Sequence, residues 1–171
     1  MAEYNACELR KPGSRSTSLP LNIVLAEDNP PDVTLVDLAL RRADLNSTLR
    51  ILCDGEQATA FIESLGRDPR LPAIDLVLLD LNLPKLDGEE VLKRLRATRR
   101  SAQTPVVVMT GSGAARDYER VCRHGGVHYF RKPFSLAEYM SLGGIVRDIL
   151  FPKKDVRREI SAESLKAGDA G

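Results

Sequence analysis

Cysteine is scarce in this chain. Cys7, Cys53 and Cys122 are odd in number and far apart, which excludes a disulfide framework and suits a reducing cytoplasm. Charge of one sign is missing too: 25 basic side chains stand against 24 acidic ones, a net charge of +1. That balance argues against a large electrostatic footprint for nucleic acid or an anionic membrane surface. No apolar run approaches the ~20 residues that a membrane-spanning helix needs. Glu3 and Glu8 fall where a signal peptide would carry a basic region and an apolar core. Internal repeats are absent. A cytoplasmic protein without direct nucleic-acid or membrane partners is expected.

What the chain does have is 171 residues and 43% hydrophobic content, enough for one ordinary domain with spare length at the ends. Residues 11–20 are rich in Pro, Gly and Ser, so residues 1–20 read as a flexible leader. Residues 21–151 read as the ordered domain, and 152–171 as a polar tail of mixed charge.

Within the domain, short apolar runs alternate with helical stretches. The runs are Leu21–Ala26, Leu49–Cys53, Ile74–Leu79, Pro105–Met109 and Val127–Phe130. Three are nearly continuous in Val, Ile and Leu, as parallel strands covered on both faces are. Between them lie four apolar sets at helical spacing: Val33, Val36 and Leu40; Ala58, Phe61, Ile62 and Leu65; Val91, Leu92 and Leu95; Tyr118, Val121 and Cys122. A last helix is expected from Ser135, an N-cap with Glu138 three residues on. Five strands alternating with five helices predict a doubly wound five-stranded parallel α/β sheet. Such sheets place ligands beyond the carboxyl ends of their strands.

Those ends carry chemistry. Glu27 and Asp28 follow the first strand, Asp80 the third, Thr110 the fourth and Lys132 the fifth. Three clustered carboxylates repel one another and cannot all stay ionised uncompensated. A hard cation with oxygen ligands compensates them, and Mg²⁺ suits because it binds one or two carboxylates while keeping waters and phosphate oxygens. Lys132 adds a point charge and Thr110 a hydroxyl donor. A carboxylate nucleophile in that company is a site for making an acyl phosphate. Any one of these acids alone would be read as a solvated strand end; the joint pattern is what points to function.

At these residues the chain resembles the response-regulator receiver family of two-component signalling, over residues 21–150. The matching motifs are Glu27-Asp28-Asn29, Leu79-Asp80-Leu81-Asn82-Leu83-Pro84, Asp87-Gly88, Met109-Thr110-Gly111-Ser112 and Lys132-Pro133-Phe134. The resemblance implies a flavodoxin-like strand order 2-1-3-4-5 and Asp80 as the phospho-acceptor. It gives Mg²⁺ to Glu27, Asp28 and Asp80 with the backbone carbonyl of Asn82, and the phosphoryl contacts to Lys132 and Thr110. It puts the switch aromatic at Tyr129, a cis peptide at Lys132–Pro133 and a small residue after the switch hydroxyl, here Gly111.

Glu-Asp-Asn-Pro-Pro-Asp at 27–32 resembles a subgroup often paired with bacterial phytochrome-type sensor kinases. A stand-alone response regulator is expected, phosphorylated by a sensor histidine kinase, with no separate catalytic output domain in the residues after Phe151. Its output would run through a protein contact or onward phosphotransfer, including a C₂ homodimer along the fourth helix, fifth strand and fifth helix. Some of Leu136, Tyr139, Met140, Leu142, Ile145, Val146, Ile149 and Leu150 of the last helix would then lie exposed as a patch.

Two other readings are weaker. A haloacid-dehalogenase-like phosphatase needs a second Asp two residues after the first, where this chain has Asn82. A receiver-like module that no longer accepts phosphate has no reason to keep Glu27, Asp28, Asp80, Thr110 and Lys132 together. Cys122, His124 and His128 straddle Gly125-Gly126 and lack a fourth partner, so zinc is not expected. The basic run Lys93–Arg100 ends a helix where the macrodipole favours cations, and Gly111-Ser112-Gly113 lacks the lysine of a phosphate loop.

Overall fold

The computed structural model describes residues 19–111, 115–125 and 127–152. The leader up to residue 18, the tail from 153, Cys7, Ser112, Gly113 and Gly126 lie outside the described residues. In chain order the elements are β1 (Leu21–Ala26), α1 (Pro30–Arg42), β2 (Ser47–Leu52), α2 (Gly55–Arg67), β3 (Leu76–Asp80) and α3 (Gly88–Ala97). They continue with β4 (Val106–Thr110), α4 (Ala115–Cys122), β5 (Val127–Arg131), α5 (Leu136–Tyr139) and α6 (Ser141–Leu150). All pairings are parallel, as expected from the alternating pattern, and the strand order is β2-β1-β3-β4-β5, as the resemblance implied. Among the described residues, no helix is long and apolar enough to cross a membrane.

The two-residue period of a strand sorts the core into two faces. Ile23, Leu25, Leu76, Leu78, Val107, Met109 and Phe130 pack with α1, α5 and α6. Val24, Ala26, Val77, Leu79, Val106 and Val108 pack with α2, α3 and Val121 of α4. Buried on both faces, β3 and β4 show no polar alternation, which is why their sequences read as unbroken apolar runs.

Strand bounds shift slightly from those expected. β2 starts two residues early because Ser47 and Thr48 extend the register with Leu21 and Asn22. β3 starts two residues late because the Asp75 carboxylate accepts the Asn22 N–H at 2.7 Å, outside the ladder. The last helix is broken. Ser135 caps α5 as expected, accepting from the Glu138 N–H at 3.3 Å, but Met140 interrupts the run and α6 begins at Ser141. Beyond the break Gly143 meets α1 so closely that a Cβ would lie 2.2 Å from the Ala39 carbonyl oxygen. The eight apolar residues of this region do not form an open stripe. Tyr139, Leu142 and Val146 are buried, Met140, Ile145, Ile149 and Leu150 pack half-buried against the core, and only Leu136 among them is exposed.

Candidate functional site

The strand alternation that sorts the core also aims the polar residues at its edge. Glu27 continues the parity of Ile23 and Leu25, Asp80 that of Leu76 and Leu78, and Lys132 that of Phe130. All three lie on the side covered by α1 and α5. Thr110 shares the parity of Val106 and Val108 and belongs to the side of α3 and α4. Tyr129, half-buried, packs on that same side.

Lys132 is the centre of the cluster. Its Nζ donates to Glu27 Oε2 at 2.6 Å, Asp32 Oδ2 at 2.7 Å and Asp80 Oδ2 at 2.5 Å. An ammonium has three donors, so each is matched by one carboxylate. Burial alone would depress the lysine pKa, but the hydrogen bonds to Asp32, Asp80 and Glu27 reverse this and hold it above its ordinary value. The other oxygen of Asp80 accepts the Asn82 N–H at 2.8 Å. The Lys132 N–H donates to the Thr110 carbonyl at 2.8 Å, which ties the lysine to the end of β4.

The loop after Asp80 is held from two sides. Gly88 donates to the Leu81 carbonyl at 2.9 Å, and its missing side chain lets α3 start against β3, since a Cβ there would sit 2.4 Å from the Asp80 carbonyl oxygen. Lys85, in the left-handed region at φ 66°, donates to Asp54 Oδ2 at 2.6 Å. Asp54 in turn caps α2 by accepting the Gln57 N–H at 2.7 Å.

Glu27, Asp28 and Asp80 can each offer an oxygen, and these oxygens lie within 4.8 Å of one another. Glu27 and Asp80 are buried while Asp28 is exposed, leaving one open side. An all-oxygen donor set with an open side fits Mg²⁺, which keeps waters and substrate oxygens in its shell. Burial pushes the Glu27 carboxyl up to about 7; Lys132 opposes this and Asp80 adds to it. One acid of the set therefore keeps a proton near neutrality, as three crowded carboxyls require.

Of the residues read from the sequence, Glu27, Asp28, Asp80 and Lys132 come together. Thr110 is fully buried at the end of β4, and Asn82 sits over Asp80 through its backbone N–H. The Lys132–Pro133 bond is trans, not the expected cis; trans is the lower-energy form of an X–Pro bond by about 0.5–1 kcal/mol. Among the described residues Cys122, His124 and His128 form no metal-holding group, and His124 Nε2 faces Glu89 Oε1 at 3.5 Å instead. Asp32 was not singled out, although it stands four residues after Asp28 in the first turn of α1. Its spacing was visible; its partner, a hundred residues away, was not.

A flavodoxin-like parallel sheet with an acidic pocket closed by a lysine is the architecture of a signalling receiver. The chain belongs to the response regulator receiver domain family, whose model matches residues 23–142. It is 40% identical over 99 residues to response regulator Rcp1 of Synechocystis sp., covering 58% of this chain and 67% of that one. The crystal structure of the Mn²⁺-bound form of Rcp1 matches with a TM-score of 0.69 at 34% identity, over 79% of this chain and 98% of that one. The phosphorylated cyanobacterial phytochrome response regulator RcpA matches with a TM-score of 0.71 at 30% identity, over 80% and 98%. The receiver domain of sensor histidine kinase PA1611 of Pseudomonas aeruginosa, with magnesium coordinated in its active-site cleft, matches with a TM-score of 0.60 at 29% identity, over 77% and 98%.

Proposed function

We propose that Asp80 is the residue this receiver phosphorylates. The observation that carries this reading is the three-way hold of Lys132 on Glu27, Asp32 and Asp80 beside an open acidic pocket. A carboxylate oxygen of Asp80 attacks the phosphorus of a phosphohistidine on a sensor kinase. The P–O bond forms as the P–N bond breaks, and the electron pair of the broken bond stays on the imidazole, which leaves neutral after taking a proton. Glu27, Asp28, Asp80 and the Asn82 carbonyl would hold Mg²⁺, which would supply charge neutralisation at the phosphoryl oxygens. The Asn82 N–H orients Asp80, and Lys132 provides the cation for the new acyl phosphate. Thr110 offers its hydroxyl from the α3–α4 side, and Tyr129 reports the change on that same face.

The kinase class rests on the similarity to the cyanobacterial phytochrome response regulator RcpA, so a phytochrome-type sensor kinase is the partner we assign. A homodimer would draw on the exposed Phe134 and Leu136 beside the site rather than on α6, whose apolar residues are taken up by the core. Incubation with a phosphorylated histidine kinase and Mg²⁺ tests the central reading. Label should pass to the wild type and not to Asp80→Asn, which keeps the volume but cannot form the acyl phosphate. Label passing equally to both would overturn it.

A further inference from the structure

Tyr139 closes α5 with its ring edge-on to Phe130, centroids 5.6 Å apart. It is only 2% exposed, and its hydroxyl is buried with no hydrogen-bond partner. An orphan hydroxyl is a cost that phenylalanine would avoid while filling the same space. Phe130, against which the ring packs, shares the strand parity of Lys132, and α5 packs against α1, whose first turn carries Asp32. Tyr139 therefore lies on the side of the sheet edge that holds Asp32, Lys132, Glu27 and Asp80. Burial raises its pKa above the ordinary value, and the Asp32 carboxylate adds to this. Asp32 itself is mostly buried, its side chain 19% exposed, and Lys132 is its partner. All three donors of Lys132 are in use, so turning the ammonium to a phosphoryl oxygen on Asp80 means loosening a present contact. Asp32 is neither the acceptor nor one of the clustered metal-holding acids, and a mostly buried carboxylate stripped of its cation needs another donor.

We propose that Asp32 is a second berth for Lys132, and that the Tyr139 hydroxyl takes over Asp32 when Lys132 turns to the phosphoryl group. Both are then positioning residues that act through the lysine. The unpaired hydroxyl belongs to the resting state and finds its acceptor in the phosphorylated one. This rests on Asp80 being the acceptor.

Beryllofluoride with Mg²⁺, a non-covalent mimic of an aspartyl phosphate, is the probe, titrated into the full chain by NMR or calorimetry, with thermal unfolding measured alongside. Tyr139→Phe should unfold at the same temperature as wild type or higher, because it removes an unpaired group. It should bind the probe about tenfold more weakly, the worth of one hydrogen bond to a charged group. In an Asp32→Ala background the same substitution should change nothing. Wild-type affinity in Tyr139→Phe would overturn the proposal, as would an undiminished loss in the Asp32→Ala background. The Tyr139→Phe comparison stands alone if Asp32→Ala does not fold. Failure of the underlying reading looks different: the wild type itself would then bind no better than Asp80→Asn.

Discussion

At Glu27 burial and charge pull in opposite directions. Desolvation favours the protonated acid and Lys132 the carboxylate, and the balance leaves the group at about 7 instead of its ordinary 4.5. Between those two values the metal-free folded chain holds a proton that the unfolded chain releases, so Glu27 makes stability fall as pH rises through that window. Mg²⁺ binding must displace the same proton. Affinity for Mg²⁺ should therefore weaken about tenfold per unit once pH drops below about 7, and Glu27→Gln should flatten that dependence. Calorimetric titration from about pH 8 to about pH 6 measures it; equal affinities in the wild type across that range would contradict the assignment. Residue by residue, the sequence exposed those parts of the site that end strands, since a polar side chain closing an apolar run stands out. Asp32 and the Tyr139 hydroxyl lie on helices, where acids and tyrosines are unremarkable, and only the packing of α1 and α5 beside the sheet edge brings them to the site.

At the scale of elements, strand parity puts the proposed chemistry and the proposed switch residues on different sides of the sheet. Asp80, Lys132 and Glu27 lie toward α1 and α5, whereas Thr110 and Tyr129 lie toward α3 and α4. A phosphoryl group that draws in the Thr110 hydroxyl would bias the α4 side of the molecule by the free energy of that one contact. Thr110→Ala should accept phosphate yet show amide chemical-shift changes in β5 and α4 much smaller than those of wild type. Shifts as large as the wild type's would show that the signal takes another route. The strands themselves were legible because apolar runs fully buried on both faces leave no ambiguity of period. The interruption at Met140 was not, because it accompanies the approach of Gly143 to the Ala39 carbonyl, a tertiary contact with no local mark beyond the glycine.

Across the whole molecule, the doubly wound parallel sheet followed from the alternation of runs and helices, and its strand order from the family resemblance. Where apolar surface remains did not follow from it. Some of the last helix's apolar residues were expected to lie exposed as a patch; the core absorbs all of them but Leu136, which is exposed together with Phe134. Self-association on that patch should appear in sedimentation over a concentration series and vanish in a Phe134→Ser, Leu136→Ser double variant; a wild type monomeric throughout would remove the homodimer. Everything else depends on Asp80. The most direct measurement is mass spectrometry of the chain after reaction with a small phosphodonor and Mg²⁺, with borohydride trapping of the acyl phosphate to locate it. One phosphoryl group per chain, trapped at Asp80 and absent from Asp80→Asn, is expected. No mass gain, or a trapped acyl phosphate at any other acid, would contradict it.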